Sequence, residues 1–271
     1  MGPLVIFTDL DGTLLDHESY SFRMALPALD LLKRRNVAVV PVSSKTASEI
    51  RMWMRQLQIE GPFVFENGGA VVIPPNYFPF PVEGSVGANG EVRVSLGLSI
   101  EGVRRALGEI AGELGIAIRG FGVMTTQEIS DLTGLTGLEL SFSMMREYDE
   151  PFLIEGDRGV DLIGEAAAAR GLSLVRGGRF FHLSGGCDKG KAVKVLAELY
   201  SRMDPDITFV GIGDSQNDVS VFEAVDRSFV VLRPDGTFDP RIPEDAAERV
   251  KGIGPQGWRM AVEALFADGG F

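Results

Sequence analysis

Short apolar runs that end in small polar residues recur along the chain, separated by stretches where apolar positions return every three or four residues. The first run, Leu4–Thr8, stops at Asp9-Leu10-Asp11-Gly12-Thr13. It is too short for a helix and predicts a buried parallel strand that delivers polar residues to its carboxyl edge. Helical spacing with a basic end follows over about 24–35, closed by Asn36. A strand is predicted at 37–42, and Ser43-Ser44-Lys45-Thr46 opens a second helix that runs to about Leu57. Phe63–Phe65 then leads into the turn Glu66-Asn67-Gly68-Gly69 and a further strand. This alternation predicts a parallel α/β sheet.

Between Pro74 and Gly90 the composition shifts to proline, glycine and aromatics, as in a linker or irregular loop. The pattern from 92 to about 185 is different. Strands are predicted at 92–98, 116–119, 151–155, 173–176 and 179–183, with helices at 100–114, 126–132, 138–147 and 160–170. Gly177-Gly178 joins the last two strands as a hairpin signal, and a hairpin implies antiparallel pairing. This middle third therefore reads as a separate α+β unit. After Gly190 the alternation returns, with helices at 191–201 and 219–224 and strands at 207–212 and 228–232.

A chain of 271 residues with 45% hydrophobic and 24% charged content is ordinary for a globular protein with a sizeable core. No apolar stretch reaches spanning length, and the first residues lack a basic region followed by an apolar segment, so no membrane association is expected. Net charge is −12, from 38 acidic and 26 basic residues, which argues against nucleic acid as a main partner. One cysteine, Cys187, fits a reducing cytoplasm. With two histidines and no Cys/His cluster, a zinc site is not expected.

Chemistry is concentrated at predicted strand ends. Asp9 and Asp11 would repel each other unless a cation or firm hydrogen bonds compensate them, and ligands of open α/β sheets bind at this edge. A nucleophilic Asp beside a proton-moving Asp is one reading; a polar strand end capping a turn is the other. Asp214 and Asp218, in Gly211-Ile212-Gly213-Asp214-Ser215-Gln216-Asn217-Asp218, end a second buried strand. Alone they read slightly better as an acidic helix start; their recurrence at the same kind of edge as Asp9 reverses that and favours a magnesium site. Ser43 suits a phosphate oxygen at a helix start or plain capping. Lys45, Lys189 and Lys191 suit phosphate neutralisation or simple solvation. Asn67 sits in a turn that either borders the site or only reverses the chain.

In order, Asp-x-Asp-Gly-Thr, a strand-end Ser, a Lys and Gly-Asp-x-x-Asn-Asp resemble the haloacid dehalogenase-like (HAD) phosphatases. The insert between the Ser and the Lys resembles that superfamily's C2-type cap. The resemblance implies an α/β, Rossmann-like parallel core, 1–84 with 185–271, and an inserted α+β cap, 85–184, that sets specificity. It implies Asp9 as nucleophile, Asp11 as general acid/base, and Ser43 and Lys189 on the phosphoryl group. Asp9, the backbone carbonyl of Asp11 and Asp214 would ligate Mg²⁺, with Asp218 and Asn217 supporting Lys189 or metal-bound water.

Pro41-Val42-Ser43-Ser44-Lys45-Thr46, Phe65-Glu66-Asn67-Gly68-Gly69, Gly120-Phe121-Gly122, Thr133-Gly134-Leu135, 146–152 and 177–183 further resemble the mannosyl-3-phosphoglycerate phosphatase family. That likeness implies a small phosphorylated sugar-glycerate as substrate, with Lys45, Asn67, Arg146 and Arg179 as candidate substrate contacts, Arg176 being a further cap cation. The glucosyl analogue or sucrose phosphate is the near alternative; a phosphomutase or a non-catalytic binding protein is more distant.

Overall fold

The computed structural model describes residues 3–156, 159–176 and 180–267. The chain runs β1 (Leu4–Thr8), α1 (Leu26–Arg34), β2 (Ala38–Pro41), α2 (Ala47–Leu57), β3 (Phe63–Phe65), β4 (Ala70–Ile73), β5 (Ser85–Val86) and β6 (Val92–Ser95). It continues through α3 (Ile100–Leu114), β7 (Ile118–Gly120), α4 (Thr126–Thr133), α5 (Gly137–Ser143), β8 (Asp149–Ile154), α6 (Val160–Ala168), β9 (Leu172–Arg176) and β10 (Phe181–Gly185). The last third holds α7 (Lys189–Met203), β11 (Thr208–Gly213), α8 (Val219–Phe222), β12 (Arg227–Leu232), β13 (Glu248–Ile253) and α9 (Gly254–Ala267).

Five parallel strands form the principal sheet in the order β13-β12-β11-β1-β2. Because β1 is buried on both faces, its residues sort by parity. Leu4 and Ile6 pack with α1, α2 and α9 through Leu29, Ile50, Trp258 and Leu265. Val5 and Phe7 pack on the other face with Val193, Leu196 and Tyr200 of α7. Thr46 caps α2 through a reciprocal pair with Glu49, as Ser/Thr-x-x-Glu sequences do.

A second sheet, β7-β8-β10-β9, is fully antiparallel, as a hairpin implies. The Gly177-Gly178 turn itself lies outside the described residues, as does Arg179. Phe152, Leu183 and Leu172 cover one face of this sheet with Val103 and Leu107 of α3 and Ile163 of α6. The strand over 92–95 pairs with β4, in a third sheet ordered β3-β4-β6-β5. β13 and α9 lie beyond the last element read from the sequence. α9 is anchored by Trp258, Ala261, Val262 and Leu265, all fully buried, at a spacing that is helical. Among the described residues, no helix is long and apolar enough to cross a membrane.

Candidate active site

Strand order places three predicted site residues side by side. β1 lies between β11 and β2, so Asp9, Asp214 and Ser43 leave neighbouring strands at one carboxyl edge. The Asp9 N–H continues the β1–β11 ladder by donating to the Ile212 carbonyl at 2.9 Å. Ser43 is buried, and its N–H donates to the Val64 carbonyl at 3.1 Å. Lys189, the first residue of α7, reaches across from the other side. Its Nζ donates to Asp9 Oδ1 and to Asp218 Oδ1, both at 2.6 Å. The second Asp218 oxygen accepts the N–H groups of Asp214 at 3.0 Å and Ser215 at 3.1 Å.

Carboxylate oxygens of Asp9, Asp214 and Asp218 lie within 4.8 Å of one another, and all three residues are buried. Burial pushes Asp9 up to about 7, against the pull of Lys189 and with help from Asp218 and Asp11. Asp214 is raised well above the usual carboxylate range, by burial first and then by the charges of Asp9 and Asp218. Burial alone would lower Lys189, yet Asp218 and Asp9 outweigh it and its pKa is raised. Thr13 Oγ1 steadies Asp214 with a hydrogen bond to Oδ1 at 3.1 Å.

This donor set fits a hard divalent cation. Asp218 is engaged by Lys189 and two amides, which leaves the Asp9 and Asp214 carboxylates as an excess of buried negative charge. Oxygen donors in this number suit Mg²⁺. Gly12 keeps the cradle open: its φ is +77°, and a Cβ there would lie 2.9 Å from Asp214 Oδ2.

Asp11 is directed by Lys45, whose Nζ lies 2.9 Å from Asp11 Oδ2 and 3.9 Å from Glu49. The other Asp11 oxygen, Oδ1, is buried with no partner among the described residues. Lys45 is thus held against the second aspartate of the motif, and its ammonium also lies 4.9 Å from the Tyr20 ring.

Asn67 and Arg146 occupy the seam between the principal sheet and the antiparallel unit. Asn67 Nδ2 donates to Asp149 Oδ2 at 2.9 Å, and its Oδ1 accepts from Asn217 Nδ2 at 3.1 Å. Arg146 donates to the carbonyls of Ser44 at 2.8 Å and Ser143 at 3.1 Å, and lies 3.8 Å from Asp149. Its guanidinium is engaged in holding the two units together. Arg176 lies against the Phe181 ring, in register with it on β9 and β10. That is the helix-covered face of the second sheet, away from the strand edge of Asp9. A groove of about 1050 Å³ between α1 and α2 is lined by Val37, Ala38, Arg55 and Tyr77, and by none of the acidic motif residues.

Several contributors to the site were not expected there from the sequence. Trp258 Nε1 donates to Thr8 Oγ1 at 2.9 Å, and that hydroxyl donates to the Asp9 carbonyl at 2.8 Å. Glu66, fully buried, accepts the N–H groups of Tyr148 at 2.6 Å, Asp149 at 2.8 Å and Glu147 at 3.0 Å. Asp149 and His182 share a 2.7 Å hydrogen bond. Glu66, Asp149 and His182 fall in segments that resemble the family, and the helical spacing around Trp258 was available as a signal, but none of these contacts could be read from the sequence.

Fold and edge define a haloacid dehalogenase-like hydrolase, an α/β parallel core carrying an inserted α+β cap; a family model of that description matches residues 6–77. By structure the chain is similar to protein 0175 of Thermoplasma acidophilum, with a TM-score of 0.69 at 21% identity over 98% of this chain and 99% of that one. It is similar also to the sucrose-phosphatase of Synechocystis sp. PCC6803, with a TM-score of 0.63 at 14% identity and 98% of both chains covered. By sequence it is 38% identical over 262 residues, 96% of both chains, to a glucosyl-3-phosphoglycerate/mannosyl-3-phosphoglycerate phosphatase of Methanococcoides burtonii. It is 38% identical over 230 residues to the mannosyl-3-phosphoglycerate phosphatase of Pyrococcus furiosus, covering 84% of this chain and 90% of that relative. The chain belongs to the mannosyl-3-phosphoglycerate phosphatase family.

Proposed function

We propose that the protein is a cytoplasmic, Mg²⁺-dependent phosphatase that hydrolyses mannosyl-3-phosphoglycerate to mannosylglycerate and inorganic phosphate. The catalytic core is 1–84 with 185–271 and 85–184 is the insert; within it β5 and β6 extend the sheet of β3 and β4, and the part that follows forms the cap over the core. The carrying observation is the convergence of Asp9, Lys189 and Asp214 at one sheet edge, in a chain whose full-length relatives bear this activity in their names.

Asp9 attacks phosphorus in line, forming an aspartyl-phosphate as the ester P–O bond breaks. Asp11 gives a proton to the departing alkoxide. It then takes one from the water that cleaves the aspartyl-phosphate, and phosphate leaves while Asp9 is regenerated. Ser43 and Lys189 hold phosphoryl oxygens during both steps. Such monoesters are among the slowest to hydrolyse unaided, so positioning and charge neutralisation carry most of the acceleration. Magnesium, held by Asp9, Asp214 and the Asp11 backbone carbonyl, would supply further neutralisation at those oxygens.

Two relatives named for both glucosyl and mannosyl substrates favour a second substrate, glucosyl-3-phosphoglycerate. Phosphate release with Mg²⁺ across a panel of sugar phosphates tests both. Turnover of the two sugar-phosphoglycerates far above sucrose phosphate and hexose phosphates is expected. Preference for a simple hexose phosphate would overturn the assignment, and no release from any compound would favour a non-catalytic protein.

A further inference from the structure

We propose that His182 of the cap is a specificity-determining contact for the organic half of the substrate, wired to the phosphoryl site through Asp149, Asn67 and Asn217. The inference rests on the reading above and extends it to residues outside the phosphoryl-transfer motifs.

Strand parity places His182 on the face turned toward the core. Phe181 and Leu183 pack under α3 and α6, so His182 and Ser184 project from the opposite face. β10 pairs with β8 so that His182 lies opposite Pro151 and Ser184 opposite Asp149. The His182 and Asp149 side chains therefore rise from the same face, diagonal to one another. Onto that face Asn67 of the core reaches to bond Asp149.

Hydrogen-bond direction then follows from one charge. Burial alone would raise the Asp149 pKa, but His182, Arg146 and Asn67 outweigh it and hold the carboxyl below its ordinary range. An ionised carboxylate only accepts. Hence the His182 Nδ1 carries the proton toward Asp149 Oδ1, and the Asn67 amide turns its NH₂ to Oδ2. Asn67 Oδ1 must accept from Asn217, and Asn217 Oδ1 accepts from the Ser215 hydroxyl at 2.6 Å. Ser215 N–H is on Asp218, Asp218 is on Lys189, and Lys189 is on Asp9. One hydrogen-bonded chain thus joins the nucleophile to a cap histidine.

At the end of that chain stands Nε2. It has no protein partner among the described residues and is not sealed from solvent; the His182 side chain is 16% exposed whereas Asp149 is 0% exposed. Lys189, Lys45 and Arg146, the buried cations nearby, are all engaged by protein carboxylates or carbonyls. An imidazole with one nitrogen pinned and the other unpaired among the described residues, on a side chain partly open to solvent, is an oriented hydrogen-bonding group. Its ligand is a substrate oxygen remote from phosphorus, a carboxylate or a sugar hydroxyl.

The test compares wild type with His182→Asn, whose amide still donates to Asp149 but lacks the second nitrogen, on mannosyl-3-phosphoglycerate and on p-nitrophenyl phosphate. We expect kcat/KM for the sugar-glycerate to fall at least tenfold more than for the aryl ester, mostly through KM. Equal losses on the two substrates, or no loss on either, would overturn the proposal. Should His182→Asn fail to show a wild-type-like melting transition, His182→Ala, which removes both ring nitrogens, carries the same comparison. Competitive inhibition by 3-phosphoglycerate and glycerol 3-phosphate assigns the oxygen. Selective weakening of the former in the variant points to the carboxylate; no change in either inhibitor, with the sugar-glycerate loss intact, points to the sugar. If wild type ignores mannosyl-3-phosphoglycerate, the functional reading fails by itself. The His182 ratio is then measured on the sugar phosphate that wild type does hydrolyse.

Discussion

Two carboxyl groups buried side by side, Asp9 and Asp214, each make the other's charge costly, and Lys189 answers only part of it. Asp214→Asn removes one of the opposed charges. The metal-free variant is expected to be no less stable than wild type, and added Mg²⁺, which should raise the melting temperature of wild type, should leave the variant nearly unmoved. An equal Mg²⁺ shift in both would remove Asp214 from the proposed ion site. Asp9→Asn should fold normally and lose turnover by about 10³-fold or more, since an amide does not replace a nucleophilic carboxylate; retained phosphate release would exclude Asp9 from that role. Lys189→Ala strands the carboxylates it bridges and should cost about 3–5 kcal/mol in urea unfolding. Asp9, Ser43, Lys189, Asp214 and Asp218 were legible in the sequence because each lies beside a strand end or helix start with its own local signature. Thr13, Asp149 and His182 stand in segments singled out from the sequence, but their contacts were not legible, because those depend on partners brought near only by folding: Thr13 meets Asp214 across 201 residues of chain.

Turns between elements do as much as the elements themselves. The 66–68 turn carries Glu66 into the cap, where its carboxylate gathers three successive backbone donors at the start of β8. Gly68 lets α7 approach: its φ is +93°, and a Cβ would fall 2.1 Å from the Asp188 carbonyl. From the sequence this stretch reads correctly as a turn, but nothing local reveals that its acid reaches residues 147–149. Glu66→Ala leaves those amides without their acceptor, at about 1–3 kcal/mol for each one that stays buried and unpaired. Hydrogen exchange should quicken at 147–149 before it quickens in β1 or β11; uniform acceleration would mean that Glu66 supports the whole fold instead of this joint. The helix after residue 253 went unread for a different reason. Gly254-Pro255-Gln256-Gly257 looks like a loop, although proline is tolerated in a helix's first turn, and packing of Trp258 against the sheet decides the outcome.

Across the whole molecule, the parallel core and the antiparallel insert were readable from the switch in pattern, because hydrophobic period and turn chemistry are local, but the strand at 92–95, read with the insert, pairs with β4 instead. Which insert residues face the core was not readable, since that is set by how two sheets meet. Asp149 stands at that meeting, and its acid dependence has a definite sign. Its carboxyl titrates below the ordinary 3.8, so its contribution is complete above that pH and fades as pH falls through the lower native value. The melting-temperature gap between wild type and Asp149→Asn should therefore narrow as pH falls below about 4; a constant gap at more acid pH would show that the charge is not what matters there.

The central position of β1 also has a kinetic meaning. Of its two neighbours in the sheet only β2 follows closely; β11 begins at Thr208, Asp9 meets Lys189 across 180 residues, and Trp258 closes on Thr8 across 250. Pairings of such range are slow to nucleate, so the strand that ends at Asp9 must wait, during synthesis, for partners that leave the ribosome long after it does.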